Sequence, residues 1–113
     1  MKTITAYIKP HKLSDVTLAL HQIEGLSGAS TSEVRGFGRG RAKDAPNSVV
    51  YDTLDYLAAI RIEIACSDDL VEQIVSTIES AAHTGLRGDG KIYVNSLEQA
   101  VRISTGERGG AAI

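Results

Sequence analysis

The chain has 113 residues, 42% of them hydrophobic, and a formal net charge of −2 at pH 7. This length suffices for one domain with a sizeable core, and we predict a single domain over residues 1–113. The small net charge disfavours a nucleic-acid-binding surface, and the single cysteine, Cys66, excludes an internal disulfide. Since no apolar run approaches 18 residues and the N-terminus lacks a signal-peptide core, we expect a cytoplasmic protein without membrane insertion.

The first half of the chain is predicted to form a strand, a helix and a second strand. Apolar residues alternate over residues 3–9, which is typical of a strand, and Pro10 ends the pattern. Between Leu13 and Ile23 they recur at helical spacing, before a glycine at position 25. Residues 30–35 are then predicted to form the second strand.

A long loop follows, over about residues 37–54. It contains the breaks Gly38, Gly40 and Pro46 in a mixed polar run. Loops of this length without structure of their own are uncommon in compact domains and are often functional.

The second half repeats the pattern of the first. Residues 60–66 alternate as a third strand, and Ser67 is a suitable N-cap for a helix with a stripe from Leu70 to Ala81. Gly85 is predicted to be the C′ residue of this helix. Residues 91–95 form the fourth predicted strand.

Two short elements are predicted after it. The segment from Ser96 to Gln99 resembles a capping box that starts one helical turn, and Val101 to Ser104 reads as a short final strand.

The order β-α-β-loop-β-α-β predicts an α+β fold, a ferredoxin-like βαββαβ sandwich with both helices on one face of an antiparallel sheet. The other face is predicted to carry Tyr7, Lys9, Arg61 and Glu63. Because open sheet faces of this kind often pack against another copy, we expect an oligomer.

The segment from Thr84 to Lys91, TGLRGDGK, satisfies the pattern G-x-x-x-x-G-K. A nucleotide-hydrolase phosphate loop follows a strand and opens a helix, whereas here a predicted helix precedes the segment and a strand follows it. Glycines still let backbone N–H groups approach an anion, and Lys91 adds a positive charge. The segment therefore indicates a phosphate cradle outside the phosphate-loop hydrolases, although such a segment by itself is more often a helix C-cap and a tight turn between a helix and a strand.

Three separated segments together resemble one known family. They are EVRGFGRGR at residues 33–41, TGLRGDGKIYV at 84–94 and VRISTGERG at 101–109, and the opening TAYIKPHKLSDVTLAL is similar as well. The family is that of the PII nitrogen-regulatory signal proteins. The resemblance implies a ferredoxin-like homotrimer that is not an enzyme, has no prosthetic group, and binds ATP or ADP in clefts between subunits. It also implies control of a partner enzyme, transporter or regulator through the long loop.

The resemblance further implies a nucleotide site. Its phosphate-binding residues are Gly36, Phe37, Gly38, Arg39, Gly88, Asp89, Gly90, Lys91 and, from a neighbouring subunit, Arg102. Its adenine-binding residues are Tyr7, Ser30, Glu63 and Ala65. An ionised Glu63 can only accept hydrogen bonds, which suits the exocyclic amine of adenine. No protein metal ligands are predicted, and a role for magnesium stays open.

The chain also departs from the family pattern. Gly40 stands where a glutamine helps to chelate magnesium and 2-oxoglutarate, Ala59 where a lysine pairs with 2-oxoglutarate, and Ser104 where an arginine contacts the terminal phosphate. Asp52 occupies the position of the tyrosine that is uridylylated in many bacteria, with Tyr51 beside it. These losses predict poor or absent sensing of 2-oxoglutarate. They also predict that, relative to typical members of the family, the affinity for ADP or AMP is lowered less than the affinity for ATP.

Two alternative functions remain open at this point. One is a small phosphate-ester or anhydride hydrolase on the same fold, for which Asp89 is the candidate general base within the cradle. The other is a regulator linked to heavy-metal efflux or other transport instead of nitrogen metabolism.

Overall fold

The computed structural model describes residues 1–38 and 56–113, and these residues form the first four predicted strands and the two predicted long helices in the predicted order. The elements are β1 (Lys2–Ile8), α1 (Leu13–His21), β2 (Ser30–Gly36), β3 (Leu57–Cys66), α2 (Val71–Ala82) and β4 (Lys91–Ser96). Single 3-10 turns precede α1 at Pro10–Lys12 and α2 at Asp68–Leu70, and another lies at Gly109–Ala112.

The strands form one four-stranded sheet in the order β2-β3-β1-β4. Each neighbouring pair is antiparallel, with Ile4 of β1 opposite both Ile64 of β3 and Val94 of β4. Ser30 of β2 lies opposite Glu63 of β3. The two central strands are thus β1 and β3, and β2 and β4 form opposite edges, which confirms the ferredoxin-like prediction.

The core lies between the two central strands and the two helices. Since strand side chains alternate between faces and helical ones recur every three or four residues, each element presents one apolar face. The strands contribute Ile4, Ala6, Ile8, Ile60, Ile62, Ile64 and Cys66, and the helices contribute Val16, Leu20, Ile74, Ile78 and Ala82. Burial raises the pKa of the Cys66 thiol, so this side chain behaves as a small apolar group.

The opposite face of the sheet is polar and partly open. Tyr7, Arg61 and Glu63 lie on it, as predicted, and the rings of Tyr7 and Tyr93 pack edge to face with centroids 6.3 Å apart. Lys9, which was predicted for the same face, lies beyond the end of β1, and its ammonium group reaches the α2–β4 loop instead.

Both predicted ends of the second helix need correction. Ser67 occupies the N-cap position of the 3-10 turn, but its side chain makes no capping hydrogen bond. At the other end the helix stops at Ala82, and His83 has extended backbone angles. Gly85 therefore lies inside the α2–β4 loop and is not the C′ residue.

The C-terminal segment is less regular than predicted. Ser96 is the last residue of β4 and accepts a hydrogen bond from Lys2 Nζ at 3.1 Å, so it does not start a helical turn. The segment predicted as a final strand forms one isolated bridge, between Val101 and Arg108, around a turn in which Gly106 N donates to Arg102 O. The segment pairs with neither edge strand of the sheet, β2 or β4, and Ile103 is 99% exposed.

Within residues 1–38 and 56–113, no helix combines the length and apolar character needed to cross a membrane.

Candidate functional site

The α2–β4 loop, residues 83–90, carries most of the predicted phosphate cradle. Gly85, Gly88 and Gly90 have φ angles of +80°, +78° and +106°, which side-chain-bearing residues rarely adopt. At Gly90 a β-carbon would lie 1.7 Å from the carbonyl oxygen of Tyr7. Only glycine therefore lets the loop lie this close to the end of β1.

Asp89 closes the loop on itself. Its carboxylate accepts hydrogen bonds from the backbone N–H of Thr84 at 2.9 Å and of Gly85 at 3.2 Å, and another from the Thr84 hydroxyl. The bonds from the hydroxyl and the N–H of Thr84 hold the pKa of Asp89 far below its usual range. The carboxylate is therefore ionised and engaged within the loop, which makes it a weak general base.

Lys9 joins this network from the end of β1. Its Nζ lies 3.1 Å from Asp89 Oδ1 and donates to Thr84 Oγ1 at 3.1 Å. The Thr84 oxygen also accepts the backbone N–H of Leu86 at 3.0 Å. The side chains of Lys9 and Asp89 are only 20% and 24% exposed, so this ion pair is partly shielded from water.

Lys91 lies directly after the loop as the first residue of β4 and pairs with Tyr7 of β1. It is solvent-exposed, and Gly88 and Gly90 lie just before it. An exposed ammonium group beside accessible backbone N–H groups is a suitable arrangement for an anion. The structure thus brings together Gly88, Gly90, Lys91 and Tyr7.

A second group of predicted residues lines a separate open groove. Ser30, Glu63 and Ala65 lie in it together, and Ser30 and Glu63 are direct neighbours across β2 and β3. Sequence reasoning missed the other lining residues, which are Thr3, Ser27, Gly28, Ala29, Leu97 and Ile113. No local motif marks them, because strand pairing brings them together from distant parts of the chain. Tyr7 does not line this groove.

Arg102 belongs with this groove within one chain. Its guanidinium donates to the backbone oxygens of Ala111 and Ile113, each at 3.5 Å, and Ile113 lines the groove. Because these bonds are long and the side chain is exposed, the guanidinium has room to engage another acceptor.

A third group lies at the far end of β2. Gly36 is the last residue of that strand and pairs with Leu57, while the ring of Phe37 packs edge to face on Tyr56 with centroids 5.1 Å apart. Gly36 lies six positions after Ser30, about 20 Å along a strand. Arg39, the remaining predicted phosphate ligand, lies outside the described residues, as do Gly40, Tyr51 and Asp52.

The three groups do not meet within one chain. β2 and β4 lie at opposite edges of the sheet, about 14 Å apart by ordinary strand spacing. Gly36 and Phe37 therefore lie across the sheet from the loop, and the prediction that the loop root with Arg39 completes the cradle from the next strand stays a prediction. Among the residues that the structure describes, no cluster of three or more histidine, cysteine or carboxylate side chains has a geometry that could hold a metal ion.

Comparisons with known proteins place the chain in one family. Residues 1–107 match the family described as nitrogen regulatory protein P-II. The nitrogen regulatory proteins P-II of Rhodospirillum rubrum and Azospirillum brasilense are 47% and 45% identical to this chain over 113 residues, which is the full length of each protein. The nitrogen regulatory protein GlnK of Escherichia coli K12 is 39% identical over the same length. The four-stranded α+β fold described above, together with these full-length matches, shows that the chain belongs to the P-II family of nitrogen regulatory proteins.

Proposed function

We propose that this chain is a non-enzymatic, cytoplasmic regulatory protein that forms a homotrimer and binds ADP or ATP in the clefts between its copies. The observation that carries the proposal is the glycine loop with its three positive φ angles, pressed against β1 and followed by the exposed Lys91. Backbone N–H groups and an ammonium group at one surface form a cradle for phosphate oxygens.

The separation of the predicted ligands supports a site shared between copies. One copy supplies the groove of Ser30 and Glu63 with Arg102 beside it, and the next supplies the loop with Lys91. Tyr7 lies with the loop half, so we expect it to contact the base from the second copy. Gly36, Phe37, Gly38 and Arg39 complete the phosphate contacts at the root of the long loop.

The groove has the chemistry of an adenine site. Glu63 is an exposed carboxylate on β3, beside the hydroxyl-bearing Ser30 on β2 and the small Ala65 two residues along its own strand. The carboxylate accepts a hydrogen bond from the exocyclic amine of adenine, and Ala65 leaves room for the flat base.

The positions that depart from the family pattern support selectivity for the shorter nucleotides. Ala59 is a half-buried residue of β3 opposite Val34, and Ser104 lies in the exposed turn between Val101 and Arg108. Neither can place a positive charge on a terminal phosphate or a dicarboxylate. We therefore propose that ADP and AMP are favoured relative to ATP and that 2-oxoglutarate has little effect.

Nucleotide binding acts on a partner protein through the loop between β2 and β3. The root residues Phe37 and Gly38 lead directly into that loop. A bound nucleotide changes the populations of the loop conformations only if it binds to one conformation more tightly than to another. The relatives are nitrogen regulatory proteins by name, and we propose that this chain likewise controls an enzyme or a transporter in response to cellular energy state.

Calorimetric titration tests the proposal. The purified chain should bind ADP and ATP, and 2-oxoglutarate with magnesium should leave the ATP affinity nearly unchanged. Lys91→Met should lower the affinity for both nucleotides. Lys12→Met should leave both affinities unchanged, because Lys12 pairs with Asp15 of α1. A monomer that is indifferent to every adenine nucleotide would contradict the proposal, and strong enhancement of ATP binding by 2-oxoglutarate would contradict its selectivity.

A further inference from the structure

We propose that Lys9, Thr84 and Asp89, here called the loop brace, hold the glycine loop in its anion-binding shape without touching the anion themselves. The inference rests on the proposed function, since the anion is taken to be the phosphate chain of an adenine nucleotide. It assigns positioning roles to Lys9 and Thr84, and it gives the side chain of Asp89 a role other than that of a phosphate ligand.

The hydroxyl of Thr84 has no hydrogen-bonding capacity left for a ligand. It donates to Asp89 and accepts from Lys9 Nζ at 3.1 Å and from Leu86 N at 3.0 Å. A hydroxyl has one donor and two acceptor sites, so these three bonds saturate it.

The carboxylate of Asp89 is unsuited to a phosphate but suited to the loop. An ionised carboxylate only accepts hydrogen bonds, so it would repel a phosphate oxygen unless its charge were compensated. Lys9 Nζ, 3.1 Å away, provides that compensation. The brace therefore adds no net charge to the cradle, and the positive charge of Lys91 remains available to the nucleotide.

The loop needs such a brace because its glycines leave the backbone conformationally free. Gly85 and Gly88 both have positive φ angles and would populate many alternatives in an unconstrained chain. Asp89 binds the N–H groups of Thr84 and Gly85 from the other end of the same loop. Lys9 then connects this closed loop to the end of β1, so the cradle is fixed to a central strand.

His83 also faces this network, with Nδ1 3.4 Å from Asp89 Oδ2. Its side chain is 71% exposed, so water competes for the contact and we do not include it in the brace.

The test compares ADP affinity at several salt concentrations for five variants, one of which, Thr84→Ser, keeps the hydroxyl. Thr84→Val keeps the shape and removes the hydroxyl, and Lys9→Met keeps the length and removes the charge. Lys91→Met serves as a reference for the loss of a phosphate contact. Lys12→Met removes an ion pair that lies away from the loop, in which Lys12 Nζ is 2.9 Å from Asp15 Oδ2. Unfolding by heat establishes that each variant is folded.

We expect Thr84→Val and Lys9→Met each to weaken ADP binding by about tenfold or more. Thr84→Val changes no charge, so it should retain the salt dependence of the wild type. Lys91→Met should weaken binding and also reduce the salt dependence, because a screened contact to phosphate is lost. Thr84→Ser, which keeps the hydroxyl, should bind ADP nearly as tightly as the wild type does, and Lys12→Met should leave the ADP affinity unchanged. The inference is overturned if either Thr84→Val or Lys9→Met binds ADP normally, or if Thr84→Val reduces the salt dependence as Lys91→Met does.

Hydrogen exchange separates the brace from the proposed function. In the nucleotide-free protein, Thr84→Val and Lys9→Met should accelerate exchange of the Gly85 and Leu86 amides, and Lys12→Met should not. If the wild type binds no adenine nucleotide, the proposed function fails while this measurement still tests the brace. Unchanged exchange in both brace variants overturns the brace whatever the protein binds.

Discussion

The carbonyl oxygen of Tyr7 lies 1.7 Å from the point that a β-carbon at Gly90 would occupy. That separation is far inside the contact distance of two heavy atoms, so the end of β1 and the start of β4 can approach this closely only with glycine at position 90.

We expect Gly90→Ala to lower the free energy of unfolding by more than about 2 kcal/mol, since a positive φ angle and a backbone clash add together. Heat or urea unfolding measures the loss. Gly110→Ala is the matched control, because Gly110 has no positive φ angle and no neighbouring atom within 4 Å of its β-carbon position. Equal stability of the two variants would contradict the close approach of the loop to β1.

Stability at low pH should depend on Asp89. The hydrogen bonds from Thr84 make its pKa lower in the folded chain than in the unfolded chain, so the unfolded chain binds the proton more readily. The resulting stabilisation is present above about pH 4, the usual carboxyl pKa, and is lost as the pH falls below it.

Urea unfolding of the wild type and Asp89→Asn between pH 6 and pH 3 tests this dependence. We expect the wild type to be the more stable at pH 6 and the difference to shrink steadily toward pH 3. The pKa of Asp68 is also lowered, by its hydrogen bond from the N-terminal ammonium, but this group is present in both proteins and cancels. A difference that does not change with pH would show that the ionisation of Asp89 is not linked to folding.

Glu63 should determine the choice of base. We expect Glu63→Ala to lower the affinity for ADP by about tenfold, because the carboxylate no longer accepts a hydrogen bond from the adenine amine. Its affinity for inosine diphosphate should be no lower than that of the wild type, because the base of inosine has a carbonyl oxygen where adenine has the amine. Glu33→Ala on the neighbouring edge strand is the control, since Glu33 is exposed and lies outside the groove. If the wild type binds the two nucleotides with equal affinity, the groove does not recognise the edge of the base that carries the exocyclic amine of adenine.

A site shared between copies predicts that two defective variants can restore each other. Lys91→Met damages the loop half and Arg102→Met the groove half, so each variant alone should bind ADP weakly. After unfolding and refolding together in equal amounts, about a quarter of the clefts in a randomly assembled trimer should combine two intact halves. Titration of the mixture with ADP should then show this fraction of sites with normal affinity. If the whole site lay within one chain, the mixture would contain no site of normal affinity.

Local patterns predicted most of the fold. The alternation that ends at Pro10 and the helical stripe leading to Ala81 reflect core faces formed by neighbouring residues, and these appear as β1 and α2. The C-terminal segment differs from its prediction. Val101 has strand character, but it forms only an isolated bridge with Arg108 and pairs with neither edge strand of the sheet.

The site was less accessible to sequence reasoning. The pairing of Lys9 with Asp89 joins residues 80 positions apart, and no spacing rule indicates that they meet. Similarly, Leu97 and Ile113 reach the groove of Glu63 only because the chain folds back along the sheet. The glycines of the loop, by contrast, were recognisable as backbone positions because a positive φ angle is a local property, although the contact of Gly90 with Tyr7 was not.

The edge-to-face contact between Phe37 and Tyr56 has a consequence for protein engineering. Together with the pairing of Gly36 and Leu57, it fixes the entry and exit of the intervening segment close to one another. Since doubling the length of a loop adds only about 0.6 kcal/mol to the entropic cost of closing it, we expect changes of length between Gly38 and Tyr56 to alter the free energy of unfolding little.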